Sequence, residues 1–371
     1  MKSMKKNSII FLILFFFFTV IIILFQFRKV YFSSVLKNDY VFFINKNMTY
    51  DQLLLKLVND FRVPSYVAFS SFCDKKKLIK FKPGKYLLKT GFSLNDIINQ
   101  LRISDNRKTI NFSFNSFSSF SDLASNLSSQ TDIDSVIFMN KIYSYNYDSV
   151  FNRVVDFEEL KSFFIPNTYN IYWHTSEVKF INRMLQEYQK FWSIRKEKLN
   201  IINLSPFQVS ILASIVEKES SNVSEMGDIA SLYLNRLKKK MKLQADPTVN
   251  YCFKMLYDFD TTLTRVFDEH LKLKCEYNTY LISGLPPAPI VVPSIQSIDA
   301  VLSNKSTNYI YMCAKAEISE KQKKVCFFNS HIFAKTYFEH LKNARRYHKA
   351  MDKSKSGYET CFPNRQNCSC N

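Results

Sequence analysis

The chain has 371 residues, 46% of them hydrophobic and 22% charged, which is enough apolar content for two or three packed units and too much for a disordered polyelectrolyte. Only five glycines are present, with neither a GxxxxGKS/T nor a GxGxxG run, so the usual phosphate cradles are excluded. The net charge of +19 suits an anionic partner such as nucleic acid, a membrane surface or an acidic polymer. The abundance of Lys, Asn, Ile and Phe gives that excess a second source, an AT-rich coding composition.

Ile9 to Phe25 is an apolar run broken only by Thr19, and as a helix it reaches about 25 Å, the thickness of a thin bilayer core. Lys2, Lys5 and Lys6 precede it, which predicts a cytoplasmic N-terminus and export of the rest. A cleaved signal peptide is the rival reading. The run is long for such a segment, and the flank Gln26-Phe27-Arg28-Lys29 offers no small-residue cleavage site. We therefore expect a short tail over 1–8, an uncleaved single-pass anchor over 9–27, and a large part outside the membrane. Export and the absence of a recognised motif exclude the nucleic-acid reading.

Residues 38–105 read as a small α+β module. Val41 to Ile44 is strand-like, 51–59 a helix, Lys82-Pro83-Gly84-Lys85 a turn and Tyr86 to Leu88 a second strand. Ser93 then caps a helix with Leu94, Ile97, Ile98 and Leu101 at helical spacing. Residues 106–204 read as a structured connecting region packed on the domain that begins at 205. It holds a strand near 111–117, a helix opened by Ser121, and a long helix over 176–196. The inner stripe of that helix is Phe180, Met184, Leu185, Tyr188 and Phe191.

The segment 205–251 carries chemistry. Ser205, Pro206 and Gln208 specify a helix start, and the helix runs to about Ser220. On a helical wheel Glu219 falls inside the apolar arc of Phe207, Ile211, Leu212, Ile215 and Val216. Glu217 falls opposite, with Ser210 and Ala213, and reads as a solvated charge. A carboxyl group pressed toward the core at a helix C-terminus has its pKa raised by desolvation and by the helix dipole. That is what a general acid needs near pH 7. The other reading is a core-edge Glu bonded to a neighbouring backbone or Arg. A second helix covers 225–240 with Ile229, Leu232, Tyr233 and Leu237 inward. Leu243 to Val249 reads as a polar loop in which Pro247 turns Asp246 away from helix.

The eight cysteines, at 73, 252, 275, 313, 326, 361, 368 and 370, are scattered except at the end; most read as buried or incidental, an exported location permits disulfides, and the sequence leaves their pairing open. Cys361, Cys368 and Cys370 form a faint metal or disulfide hint without the spacing of a zinc site. No metal or cofactor is expected.

Together, Leu212 to Ser220, Tyr233-Leu234-Asn235-Arg236-Leu237, Leu243 to Val249, Tyr277-Asn278-Thr279-Tyr280, Gly284 to Ile290, and His331, Phe333 and Lys335-Thr336-Tyr337 resemble, in order and spacing, the YceG-like family of membrane-anchored endolytic murein transglycosylases, the MltG type. The resemblance covers 160–348 well and implies an α+β fold with a LysM-like module over 38–105 and a catalytic domain over 205–348. It leaves a Cys-containing tail at 349–371 without a counterpart. It implies cleavage of the bond between N-acetylmuramic acid and N-acetylglucosamine inside peptidoglycan strands, leaving 1,6-anhydro ends. The catalytic residue it implies is Glu219, the second Glu of the Glu-Lys-Glu-Ser motif. Gln244, Asp246, Thr248, Asn278 and Tyr280 are implied substrate-binding residues, with loop-stabilising side chains as the other reading of the first four; Tyr251 and Tyr311 are further stacking candidates, and His331 a structural one. Peptidoglycan strands, and peptidoglycan synthases at the inner membrane, are the implied partners. Asn167 stands where the family commonly has Asp. The alternatives are a hydrolytic muramidase and an inactive wall-binding scaffold.

Overall fold

The computed structural model describes residues 2–103, 107–257, 263 and 265–362. Its mixed α+β chain starts with helix α1 (Lys2–Phe32), whose stretch Ile10–Phe32 is long and apolar enough to cross a membrane. The Ile9–Phe25 run in the sequence ends sooner, because Phe27, Tyr31 and Phe32 extend the same apolar helix. Tyr31 is nonetheless buried, its ring 4.5 Å from that of Phe72. The last turn of α1 is thus part of the core of the adjoining module.

That module has the order β1 (Tyr40–Ile44), α2 (Tyr50–Phe61), α3 (Tyr66–Lys75), β2 (Gly84–Leu88) and α4 (Leu94–Arg102). β1 and β2 pair antiparallel with Tyr40 opposite Leu88 and Ile44 opposite Gly84. Capping boxes at Thr49 with Gln52 and at Ser93 with Asp96 start α2 and α4. Helix α3 has no counterpart among the elements expected from sequence. Ser65 caps it just after Pro64, and Phe69, Phe72 and Cys73 form its buried stripe. The core is apolar: Phe42, Ile44, Leu53, Leu54, Leu57, Tyr86, Leu88, Ile98 and Leu101 are fully enclosed.

The chain then forms β3 (Arg107–Phe114), α5 (Phe120–Gln130), α6 (Ser135–Ser144), α7 (Asp148–Phe151) and β4 (Asn167–Tyr172). Strands β1 to β4 make one sheet in that order. Two compact units result. The first comprises 1–112, 126–135 and 168–177; the second comprises 113–125, 136–167 and 178–371.

In the second unit α8 (Glu177–Ser193) buries Phe180, Met184, Leu185 and Tyr188, with Trp192 in the place expected of the half-buried Phe191. After α9 (Lys196–Ile202) come α10 (Pro206–Glu219), α11 (Val223–Lys238), α12 (Asp246–Leu256) and α13 (Ile295–Leu302). A sheet of β5 (Tyr311–Ser319), β6 (Lys324–Ala334) and β7 (Glu359–Cys361) completes the unit, with α14 (Tyr337–Lys355) between β6 and β7 in sequence. Helix α12 corrects the expected polar loop. Pro247 lies in its first turn, where proline is tolerated because the N–H has no helical partner there.

Cysteine pairing, which the sequence leaves open, is decided in part by the structure. Cys252 in α12 is bridged to Cys275, and Cys326 is disulfide-bonded too, whereas Cys73 is free and buried. Cys361 is buried in β7; Cys368 and Cys370 lie outside the described residues. Among the described residues no group of three or more His, Cys, Asp or Glu could hold a metal ion.

Candidate active site

Helix α10 is the spine of the second unit. The Ser205 side chain accepts from the Gln208 N–H while Gln208 accepts from the Ser205 N–H at 2.9 Å, and Pro206 occupies the first turn. Val209 to Val216 are all buried, so the helix is enclosed on every side and not only along one stripe. Its hydroxyls are satisfied internally: Ser210 donates to the Pro206 carbonyl and Ser214 to that of Ile211. This enclosure corrects the reading of Glu217 as a freely solvated charge. Glu217 is half-buried and accepts from both the backbone N–H and the hydroxyl of Ser294, the residue that caps α13.

The end of α10 delivers Glu219, half-buried, into a cavity of about 290 Å³. Tyr233 of α11 donates its hydroxyl to Glu219 Oε1. Burial raises the Glu219 pKa from 4.5 to about 7. The Tyr233 hydrogen bond and the Arg236 charge pull it down, and the Asp246 charge pushes it up, but desolvation is the largest effect. Burial, with the Glu219 charge added, likewise lifts the Tyr233 phenol well above its ordinary value, so the tyrosine stays a donor.

Arg236 stands one turn along α11 from Tyr233, on the same face. It is 7% exposed and donates Nε to the Ile310 carbonyl at 2.7 Å and Nη1 to the Leu243 carbonyl at 2.6 Å. Nη1 also reaches Gln244 Oε1 at 3.3 Å. One side chain therefore joins α11 to the entry of β5 and to the turn before α12. Gln244 adopts a left-handed φ of 51° in that turn. Asp246 begins α12 and accepts from the Tyr280 hydroxyl at 2.6 Å. The opposite wall is β-sheet: Met312, Cys313 and Ala314 of β5 with His331 of β6.

The structure therefore brings Glu219, Gln244, Asp246 and Tyr280 to one cavity. Thr248 and Asn278 lie beneath its walls, fully buried. The Thr248 hydroxyl donates to the Ala245 carbonyl at 2.6 Å and lies 2.9 Å from that of Thr279. The Asn278 amide donates to the carbonyls of Leu271 and Leu273, and its oxygen accepts from the Tyr280 N–H. Both hold the turn that presents Tyr280. Tyr311 stacks on His340, and Tyr251 lines a different cavity.

Tyr233, Arg236 and Glu225 carry more of the site than residue type alone suggested. Glu225, 6% exposed in the first turn of α11, accepts from Ser220 Oγ at 2.5 Å and from the His331 N–H at 2.8 Å. His331 Nδ1 lies 3.0 Å from it, so His331 is tied to a structural hub joining the end of α10 to β6. The signal for Arg236 was present: a charged residue three positions after an inward tyrosine, inside an apolar stripe.

A family model described as the YceG-like family matches residues 42–346. A Bacillus subtilis protein named endolytic murein transglycosylase is 27% identical over 298 residues, 77% of this chain and 78% of its own length. A Streptococcus pneumoniae protein of the same name is 27% identical over 155 residues, 42% of this chain and 28% of its own. The crystal structure of a YceG-like protein from Listeria monocytogenes aligns with a TM-score of 0.52 at 21% identity, over 82% of this chain and 99% of that one, a likeness of fold.

Proposed function

This chain belongs to the YceG-like family, and from that membership we propose that it is an endolytic murein transglycosylase with Glu219 as its acid and base. The observation that carries the assignment of Glu219 is a carboxyl group raised to about 7 at the floor of a polar cavity, with a tyrosine hydroxyl holding one oxygen. In the first step protonated Glu219 gives its proton to the glycosidic oxygen, and the N-acetylglucosamine side leaves. In the second step the resulting carboxylate takes the proton of the muramyl C6 hydroxyl as that oxygen bonds to C1. The 1,6-anhydro ring closes, the carboxyl group is reprotonated and no water is consumed. Two carboxylates in the roles of a retaining hydrolase are not needed.

Tyr233 orients Glu219 and supports its carboxylate between the steps. Asp246, held by Tyr280, sits at the cavity with the charge to stabilise an oxocarbenium-like sugar. Gln244 and Tyr280 offer hydrogen bonds to sugar and N-acetyl groups, while Thr248 and Asn278 act from beneath. The β-α-α-β order of the first unit supports a glycan-binding, LysM-like role for that module.

The apolar helix Ile10–Phe32 supports a single-pass anchor in the cytoplasmic membrane. Lys2, Lys5 and Lys6 before it support a cytoplasmic N-terminus with the catalytic unit outside. An anchor keeps the enzyme near nascent strands and the synthases that extend them.

Digestion of purified glycan strands, read by mass spectrometry beside Glu219→Gln, tests this assignment. Anhydro ends that vanish in the variant are the expected result. Reducing ends would make it a muramidase with water as nucleophile, and binding without any cleavage would make it a scaffold.

A further inference from the structure

A second cavity of about 420 Å³ lies in the catalytic unit, lined by Lys218, Lys254, Asn250 and Tyr251 with Ser118 and Asp122. It adjoins the first through two pairs of sequence neighbours. Glu219 opens on the first cavity and Lys218 on the second; Asp246 lines the first and Pro247 the second. Consecutive Cα atoms stand about 3.8 Å apart and neighbouring helical side chains diverge by about 100°. The two cavities are thus lined by consecutive residues on α10 and again on α12.

The second cavity is built to receive charge. Neither Lys218 nor Lys254 has an ion-pair partner among the described residues. The one carboxylate on the rim, Asp122, already accepts from the Ser119 N–H at 3.0 Å. The floor is rigid: Ile290 and Val291 are 2% and 3% exposed. Tyr251 is held from behind by Lys161, whose Nζ donates to the Tyr251 hydroxyl at 2.9 Å. Burial lowers the Lys161 pKa to about 8, which marks how dry that support is.

We propose that this second cavity binds the carboxylate-bearing peptide branch of the muramyl sugar, through Lys218 and Lys254, while the glycan occupies the cavity at Glu219. The proposal rests on the murein reading of the Glu219 site. Murein is a glycan whose muramyl sugars carry short peptides with free carboxylates, so a strand at Glu219 carries an anion toward a neighbouring cavity lined by two lysines without an ion-pair partner among the described residues. An extended peptide advances about 3.4 Å per residue, so three residues span about 10 Å, which suits a cavity this close.

The test uses the full chain in detergent carrying Glu219→Gln, so that ligand is not consumed. Isothermal titration calorimetry compares a four-sugar murein fragment bearing its peptides with the same fragment after amidase removal of them. The expected result is binding of the peptide-bearing fragment roughly tenfold tighter, from two charge-assisted contacts at a partly exposed site. Lys218→Ala with Lys254→Ala brings the ratio toward one, whereas Lys254→Arg alone keeps most of it. Equal binding of the two fragments, a ratio that survives the double substitution, or no binding of either overturns the proposal. Peptide-dependent binding alongside a native chain, with Glu219 intact, that forms no anhydro ends from the same fragment would instead sink the transglycosylase reading alone.

Discussion

In the first unit the buried polar side chains among the described residues are Ser93 and Thr131, whereas the second unit encloses Glu159, Glu225, Arg236, Thr248, Asn278 and several serines. The first is held by apolar area, with Leu53, Leu54, Leu57, Phe42 and Ile98 closing on one another. The second devotes much of its interior to hydrogen bonds that fix turns: Arg236 to the entry of β5 and the turn before α12, Asn278 to its own loop, Glu225 between α10 and β6. Apolar packing is non-directional and gives stability cheaply. Buried polar groups cost free energy unless each is satisfied, and they pin atoms in place. Apolar packing is enough to hold a fold together; a cavity that must keep a carboxyl group in one place requires the latter.

The largest effect expected is on chemistry. Glu219→Gln lowers cleavage at least about a thousandfold, measured as anhydro ends formed per enzyme, because the acid and base disappear together. Next come two substitutions of similar cost to stability, about 3 kcal/mol each, that separate the units. Leu54→Ala opens a cavity in the first core and speeds hydrogen exchange in α2 and β1 while kcat on soluble strands holds. Arg236→Ala strands the Ile310 and Leu243 carbonyls and must lower kcat as well. Equal kcat losses in both variants would erase the distinction between the units.

The pH dependence sharpens the comparison further. In the proposed mechanism cleavage starts from protonated Glu219, so kcat/KM is expected to fall about tenfold per pH unit above about 7. Stability carries the same signature. The folded pKa is raised above the unfolded one, so the contribution is full below about 4.5 and is lost as pH rises through about 7. Glu219→Gln should therefore unfold at higher denaturant than the native chain at pH 8, with the gap closing by pH 5. The smallest effect expected is that of Tyr280→Phe, which frees Asp246 from one hydrogen bond and costs about fivefold in kcat/KM with little change in unfolding. An unchanged kcat/KM would remove Asp246 from the reaction.

The sequence alone was enough to assign the apolar N-terminal helix, the helix starts at Ser93 and Ser205, and the inward turn of Glu219. Each depends on local periodicity or on a capping residue within three positions. It left open whether Thr248 and Asn278 meet substrate or brace loops; they share a motif with cavity residues yet lie beneath the walls. Adjacent residues diverge once the backbone turns, and Gln244 at positive φ makes such a turn. Helix α12 is not legible in the sequence because a proline that ends one helix also opens another, and only the chain downstream decides which. Glu217 differs from expectation because a wheel assumes one buried face, while α10 is enclosed all round. The bond from Tyr233 to Glu219, the reach of Arg236 to Ile310 and the cystine from Cys252 to Cys275 join residues 14, 74 and 23 positions apart. Distance in space between such residues is set by how whole elements pack, so the tertiary structure alone decided which carboxyl group meets which tyrosine and how dry their meeting place is.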